Sequence, residues 1–136
     1  MIDYLTVPTV CPYCGTGCGM LLEVSNGKVS GVLPQKGHPV SGGALCVKGW
    51  TAHEFIESPR RLSTALLRVA GGLAPAPLDE AVGLVAERLA RTVSEHGPDS
   101  CAFICSAKCT NEENYLVNKL ARAVAGTNNI DHCARL

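Results

Sequence analysis

Four cysteines in the spacing Cys11-x2-Cys14-x3-Cys18-x27-Cys46 constrain this chain more than any other feature, because three must share one tight loop and the fourth must reach them from far along the sequence. An iron–sulfur cubane presents its iron corners in tetrahedral directions. A loop threading past three of them needs backbone turns with little side-chain bulk, and Gly15, Gly17 and Gly19 supply them. The spacing therefore points to Cys11, Cys14, Cys18 and Cys46 as ligands of one [4Fe–4S] cluster. The competing reading is a zinc-stabilised binding module, although zinc ribbons usually bring two CxxC pairs together and Cys46 stands alone.

The chain holds eight cysteines, which would suit a disulfide framework in a secreted protein. The opening Met1-Ile2-Asp3-Tyr4-Leu5-Thr6-Val7-Pro8 has no basic stretch and no long apolar run, and Arg60-Arg61 lies too far inside to act as a twin-arginine signal. A cytoplasmic location is expected, which moves cysteine usage toward metal ligation. No apolar run approaches the roughly 20 residues needed to cross a bilayer, so no direct membrane span is expected. Twelve Lys and Arg balance twelve Asp and Glu, which leaves no net field to attract nucleic acid or an anionic surface. At 136 residues there is room for one ordinary domain or two small units, and too little for a large cofactor-burying oxidoreductase.

The block to about Trp50 is glycine-rich, and within it residues 19–24 and 28–33 flank Ser25-Asn26-Gly27, a strong hairpin signal. A short helix is expected over residues 51–56, ended by Pro59, and a strand over residues 62–69. The glycine- and proline-rich residues 71–77 then break the chain. From Asp79 the apolar residues Ala81, Val82, Leu84, Val85, Leu89 and Val93 recur at helical spacing, with Asp79 and Glu80 at the start and Gly97-Pro98 at the stop. Residues 101–105 read as a buried strand, residues 111–125 as a second helix closed by Gly126, and Ile130 as the next strand. The expected fold class is α+β: a small cysteine-rich β domain holding the cluster over residues 1–58, then the start of an incomplete α/β domain over residues 59–136.

Cys-Pro-Tyr-Cys-Gly-Thr-Gly-Cys-Gly at residues 11–19, followed by Leu-Cys-Val-Lys-Gly at residues 45–49, is similar to the [4Fe–4S] domain that opens the molybdopterin oxidoreductases. Residues 106–115, 121–124 and 126–136 resemble the formate dehydrogenase branch of that family rather than its nitrate reductase or complex I branches. The resemblance covers nearly the whole chain. It implies reversible oxidation of formate to carbon dioxide at molybdenum or tungsten held by a bis-molybdopterin guanine dinucleotide. Electrons would pass one at a time through the cluster to an iron–sulfur electron-transfer subunit, or to an acceptor such as NAD, coenzyme F420 or a hydrogenase system. In that branch an Ala-Arg-Leu or Ala-Arg-Val segment precedes the selenocysteine or cysteine that ligates the metal, which would be position 137. The expectation is a selenocysteine UGA codon read as a stop, against an arbitrary fragment or a frameshift. A 136-residue chain by itself is expected to be inactive and to expose apolar faces.

The resemblance also assigns Lys48 as an electron relay between cluster and pterin, where a cation favours the more negative reduced cluster. Ser106, Lys108 and Asn111 lie in the turn after the Cys101 strand, where α/β folds place ligands, and are expected to face the pterin. Simple helix capping by Thr110 is the alternative reading of that turn. Cys101, Cys105, Cys109 and Cys133 lack the spacing for a second cluster and are expected to be structural or to neighbour the pterin. His38, His53, His96 and His132 are expected at the surface or in packing. Other molybdopterin oxidoreductases, such as nitrate reductase, and a small ferredoxin-type carrier are the remaining alternatives. The second half of the chain argues against the carrier.

Overall fold

The computed structural model describes residues 3–133, so that Ala134-Arg135-Leu136 of the last motif lie outside the described residues. The chain divides into two compact units: one runs to Arg61 and adds Ser106–Asn114, and the other comprises Leu62–Cys105 and Tyr115–Cys133.

The first unit is built on an antiparallel three-stranded meander of β1 (Tyr4–Val10), β2 (Gly19–Ser25) and β3 (Lys28–Pro34). Strands β2 and β3 form the expected hairpin. Asn26 and Gly27 take φ of 50° and 76°, the two positive values that a primed two-residue turn requires. Strand β1 carries no sequence expectation, since Pro8 interrupts its β-type run. It lies at the sheet edge, paired with β2 alone from Tyr4↔Ser25 to Val10↔Gly19, where a missing N–H is tolerated. The connection from β1 to β2 is thus the three-cysteine loop itself.

A small core forms beneath this sheet from Cys11, Met20, Val32 and Ala52, with Tyr13, Cys18, Leu22 and Leu45 packed against it. The expected helix over residues 51–56 is not present. A single helical turn, α1 (Val47–Trp50), precedes it, and the following residues close three-residue turns, Glu54 N–H to the Thr51 carbonyl and Ile56 N–H to the His53 carbonyl, both at 3.1 Å. Within these turns Ala52 joins the core, only 2% exposed.

In the second unit, β4 (Ala65–Val69) pairs antiparallel with β5 (Gly72–Ala76), from Ala65↔Ala76 to Val69↔Gly72. The expected break at residues 71–77 is therefore a hairpin. Gly71, at φ 98°, makes the turn, and Pro75 is accommodated because a two-stranded sheet has only edge strands. Helix α2 (Leu78–His96) matches the expected helix to within a residue at its start, with Asp79 and Glu80 in its first turn and Gly97 at its C-cap.

Strand β6 (Phe103–Ser106) and strand β7 (Ile130–Cys133) share a sheet, with Phe103 N–H donating to the Asn129 carbonyl at 2.8 Å. Between them, α3 (Asn111–Lys119) continues as a wider π-helical stretch over Leu120–Ala125 and stops at Gly126, whose φ is 82°. Thr127, 2% exposed, donates its hydroxyl to Asp99 Oδ1 at 2.7 Å and fastens this end to the turn after α2. No helix among the described residues is long and apolar enough to cross a membrane.

The β2–β3 turn fixes the register of the strand that leaves the cysteine loop, so Gly27→Val is expected to lower stability by about 1–2 kcal/mol through its left-handed backbone. Urea unfolding of the two proteins measures this, and equal midpoints would contradict the assignment.

Candidate iron–sulfur site

Cys11 and Cys18 stand at the two ends of the β1–β2 connection, and Cys11 N–H donates to the Cys18 carbonyl at 2.9 Å, which pins the loop at its base. At its tip Gly17 N–H reaches the Cys14 carbonyl at 3.4 Å, and Gly17 takes the left-handed φ of 65° that an L side chain rarely adopts. The hairpin thereby presents three thiols from eight residues. Cys46 comes from the N-terminal end of α1, where its carbonyl accepts Trp50 N–H at 3.1 Å. Leu45, packed on the core, carries it there.

All four cysteines line one cavity of ≈ 40 Å³, together with Tyr13, Lys48 and Lys108. Cys14 and Cys18 each respond to their neighbours there. The Cys18 thiol is pushed up, first by desolvation and then by the neighbouring Cys11, Cys14 and Cys46. Cys14 is held below the ordinary thiol range, chiefly because the Thr16 hydroxyl lies 3.3 Å from its Sγ, with the Thr16 backbone N–H next and a smaller contribution from the charge of Lys48.

The donor set fits a cluster better than a single ion. Zinc needs four sulfurs about 2.3 Å from one point, whereas a cubane takes one sulfur at each of four iron corners. Four thiols set around a cavity match a body with four separate iron corners. The chemistry of an all-thiol set with an adjacent ammonium points the same way, since a cubane with four thiolates is anionic in both redox states.

Lys48 Nζ stands 5.5 Å from the centroid of the Tyr13 ring, within the range of a cation–π contact. Tyr13 lies between Cys11 and Cys14, so its face carries the ammonium to the cluster loop. Lys108 lines the same cavity. The Ser106 hydroxyl accepts Lys108 N–H at 3.1 Å, and Asn111 Nδ2 donates to the Gly15 carbonyl at 3.0 Å.

Helix capping in this turn is complete without Asn111. Thr110 N–H donates to Glu113 Oε2 at 2.7 Å, and Glu113 N–H returns to Thr110 Oγ1 at 3.2 Å. The expected capping by Thr110 is present, and Asn111 turns its amide to the Gly15 carbonyl instead of to the helix end. Sequence reasoning missed Thr16 and Tyr13; their places inside the Cys11–Cys18 loop were the available signal.

His38 packs its ring where a Cβ on Gly19 would overlap it, and its Nδ1 meets Ser41. His53 buries Nδ1 with no hydrogen-bond partner among the described residues, while His96 is exposed beside Glu95.

Residues 5–58 match the molybdopterin oxidoreductase Fe4S4 domain, and residues 61–136 match the molybdopterin oxidoreductase family itself. This chain belongs to the molybdopterin oxidoreductase family. It is 48% identical over 130 residues to the alpha subunit of F420-dependent formate dehydrogenase 1 of Methanococcus maripaludis, covering 96% of this chain and 19% of that protein. It is 44% identical over 135 residues to the alpha subunit of F420-dependent formate dehydrogenase of Methanocaldococcus jannaschii, covering 99% and 19%. A probable oxidoreductase of Bacillus subtilis is 44% identical over 127 residues, covering 93% and 13%. The chain thus spans about a fifth or less of the length of these relatives.

In the metal-free chain the lowered Cys14 and raised Cys18 leave more thiolate on Cys14 at mildly alkaline pH. Cys14 is expected to alkylate faster than Cys18, and Thr16→Val to slow Cys14 alone. Peptide mass spectrometry after timed labelling reads both rates, and equal rates in the unmodified chain would count against the Thr16 contact.

Proposed function

We propose that this chain forms the cluster-bearing N-terminal part of a formate dehydrogenase alpha subunit, in which Cys11, Cys14, Cys18 and Cys46 hold one [4Fe–4S] cluster. The observation that carries the reading is that these four thiols line one cavity with Lys48 beside them. Formate as substrate is drawn from the relatives' names. In domain terms, residues 1–58 hold the cluster and residues 59–136 begin the pterin-binding part.

When bound, a bis-molybdopterin guanine dinucleotide with molybdenum or tungsten supplies two-electron chemistry with formate, and the cluster supplies one-electron transfer. This chain's own residues hold and orient. Cys11, Cys14 and Cys18 of the hairpin loop and Cys46 before α1 would hold the cluster. Lys48, laid on Tyr13, keeps a positive charge at the cluster and forms the relay toward the pterin. Ser106, Lys108 and Asn111 present the turn after β6 to the pterin, as α/β folds do at the carboxyl ends of strands. The partners this reading implies are an iron–sulfur electron-transfer subunit, or an acceptor such as coenzyme F420, NAD or a hydrogenase system.

Iron, acid-labile sulfide and zinc measured on protein purified without oxygen test the cluster assignment. About four iron and four sulfide per chain, with a brown colour bleached by dithionite, are expected; one zinc on a colourless protein would replace this reading by the binding module. Cys46→Ser is expected to lower iron and sulfide together.

Lys48→Met is expected to keep the cluster content and slow formate-dependent electron transfer in the whole enzyme by roughly 10–100-fold, the range for outer-shell partners of metal sites. Unchanged transfer with a full cluster would remove Lys48 from the relay.

A further inference from the structure

The loop that carries Cys14 is held from outside by one side chain. Asn111 donates from Nδ2 to the Gly15 carbonyl at 3.0 Å, and a Cβ on Gly15 would overlap the Asn111 amide. Glycine at that position therefore makes room for the contact. Asn111 is not needed to cap α3, since Thr110 and Glu113 close that end reciprocally.

The geometry of the peptide links this contact to the cysteine. None of the described peptide bonds is cis. In a planar trans peptide the carbonyl and the N–H point in opposite directions. A Gly15 carbonyl held by Asn111 also fixes the plane that places the Thr16 Cα, and the Thr16 hydroxyl lies 3.3 Å from Cys14 Sγ. Hydrogen bonds to a ligating sulfur draw charge from it and stabilise the more negative reduced cluster.

Resting on the assignment of the cluster to Cys11, Cys14, Cys18 and Cys46, we propose that Asn111 is a positioning residue for the cluster. By fixing the Gly15–Thr16 peptide it keeps the Thr16 hydroxyl beside Cys14, where it donates to that sulfur once it ligates as a thiolate, and raises the cluster's reduction potential. The action is indirect and crosses 96 residues of sequence. It sets a property of the cluster from the turn that opens α3.

Redox titration of the purified, cluster-loaded protein, followed by EPR, tests this on the unmodified protein and on Asn111→Ala, Gly15→Ala and Thr16→Val. Asn111→Ala and Gly15→Ala are each expected to move the midpoint to more negative values while iron and sulfide remain at about four each. The Asn111→Ala, Gly15→Ala double variant should go no further than Asn111→Ala, because both lesions break one bond. Thr16→Val combined with Asn111→Ala should shift by less than the sum of the two. An unmoved midpoint in Asn111→Ala with full cluster content overturns the inference, and so does full additivity with Thr16→Val. If Asn111→Ala does not retain the cluster, Gly15→Ala is read by the same criteria. Unmodified protein without iron and sulfide would instead overturn the cluster assignment itself.

Discussion

Four thiols brought to one small cavity repel one another as soon as they ionise, and the arrangement of the first unit follows from managing that repulsion. Cys18 shows the conflict directly: desolvation and its three cysteine neighbours all oppose its thiolate. A metal centre held by these thiolates would be the largest source of compensating positive charge. The protein adds smaller terms of the same sign. The Thr16 hydroxyl lies 3.3 Å from Cys14 Sγ and favours its thiolate, and Lys48 sits on the Tyr13 face at the cavity edge. Each of these groups lies on or beside the hairpin loop, so the strands that hold the loop also hold its charge compensation.

The parts of this arrangement set by short-range chemistry were legible in the sequence. Asn26-Gly27 specifies a turn because both residues tolerate positive φ, and the β2–β3 hairpin followed. Helix α2 announces itself by apolar spacing, acidic residues in its first turn and a glycine stop. The cysteine spacing gave a three-plus-one set of candidate ligands. What escaped was decided by neighbours rather than by local pattern. Pro8 and Pro75 weaken their segments as strands until one knows that each lies on an edge. Residues 51–56 carry a helical pattern, yet they close tighter turns within which Ala52 joins the core. The Asn111 to Gly15 bond had no local signature at all, since its partners are 96 residues apart.

The second unit follows a different balance. No residue of α2 is buried, and Val82 and Val85 remain 58% and 64% exposed, as does Ile104 of β6 at 80%. The helix is thus specified by its own sequence more than by the area it covers. Isolated helices are marginal in water, and an apolar stripe of this kind normally supplies most of a helix's stability by packing. The turn from α2 to β6 is better fastened, because Thr127 and Asn129 both hold Asp99, through its carboxylate and its carbonyl.

Gly15 and Gly19 show how the cysteine loop is kept in one shape. At Gly15 the absent side chain admits the Asn111 amide, and at Gly19 it admits the His38 ring, which is itself tied to Ser41. The two glycines therefore do more than loosen the loop for turning. They let side chains from other segments press directly on its backbone, one after Cys14 and one after Cys18. A loop braced at both places, with the Cys11 to Cys18 bond closing its base, is held in one shape by the chain's own contacts. Glycine, read in the sequence as freedom for the backbone, works here by admitting the contacts that remove that freedom.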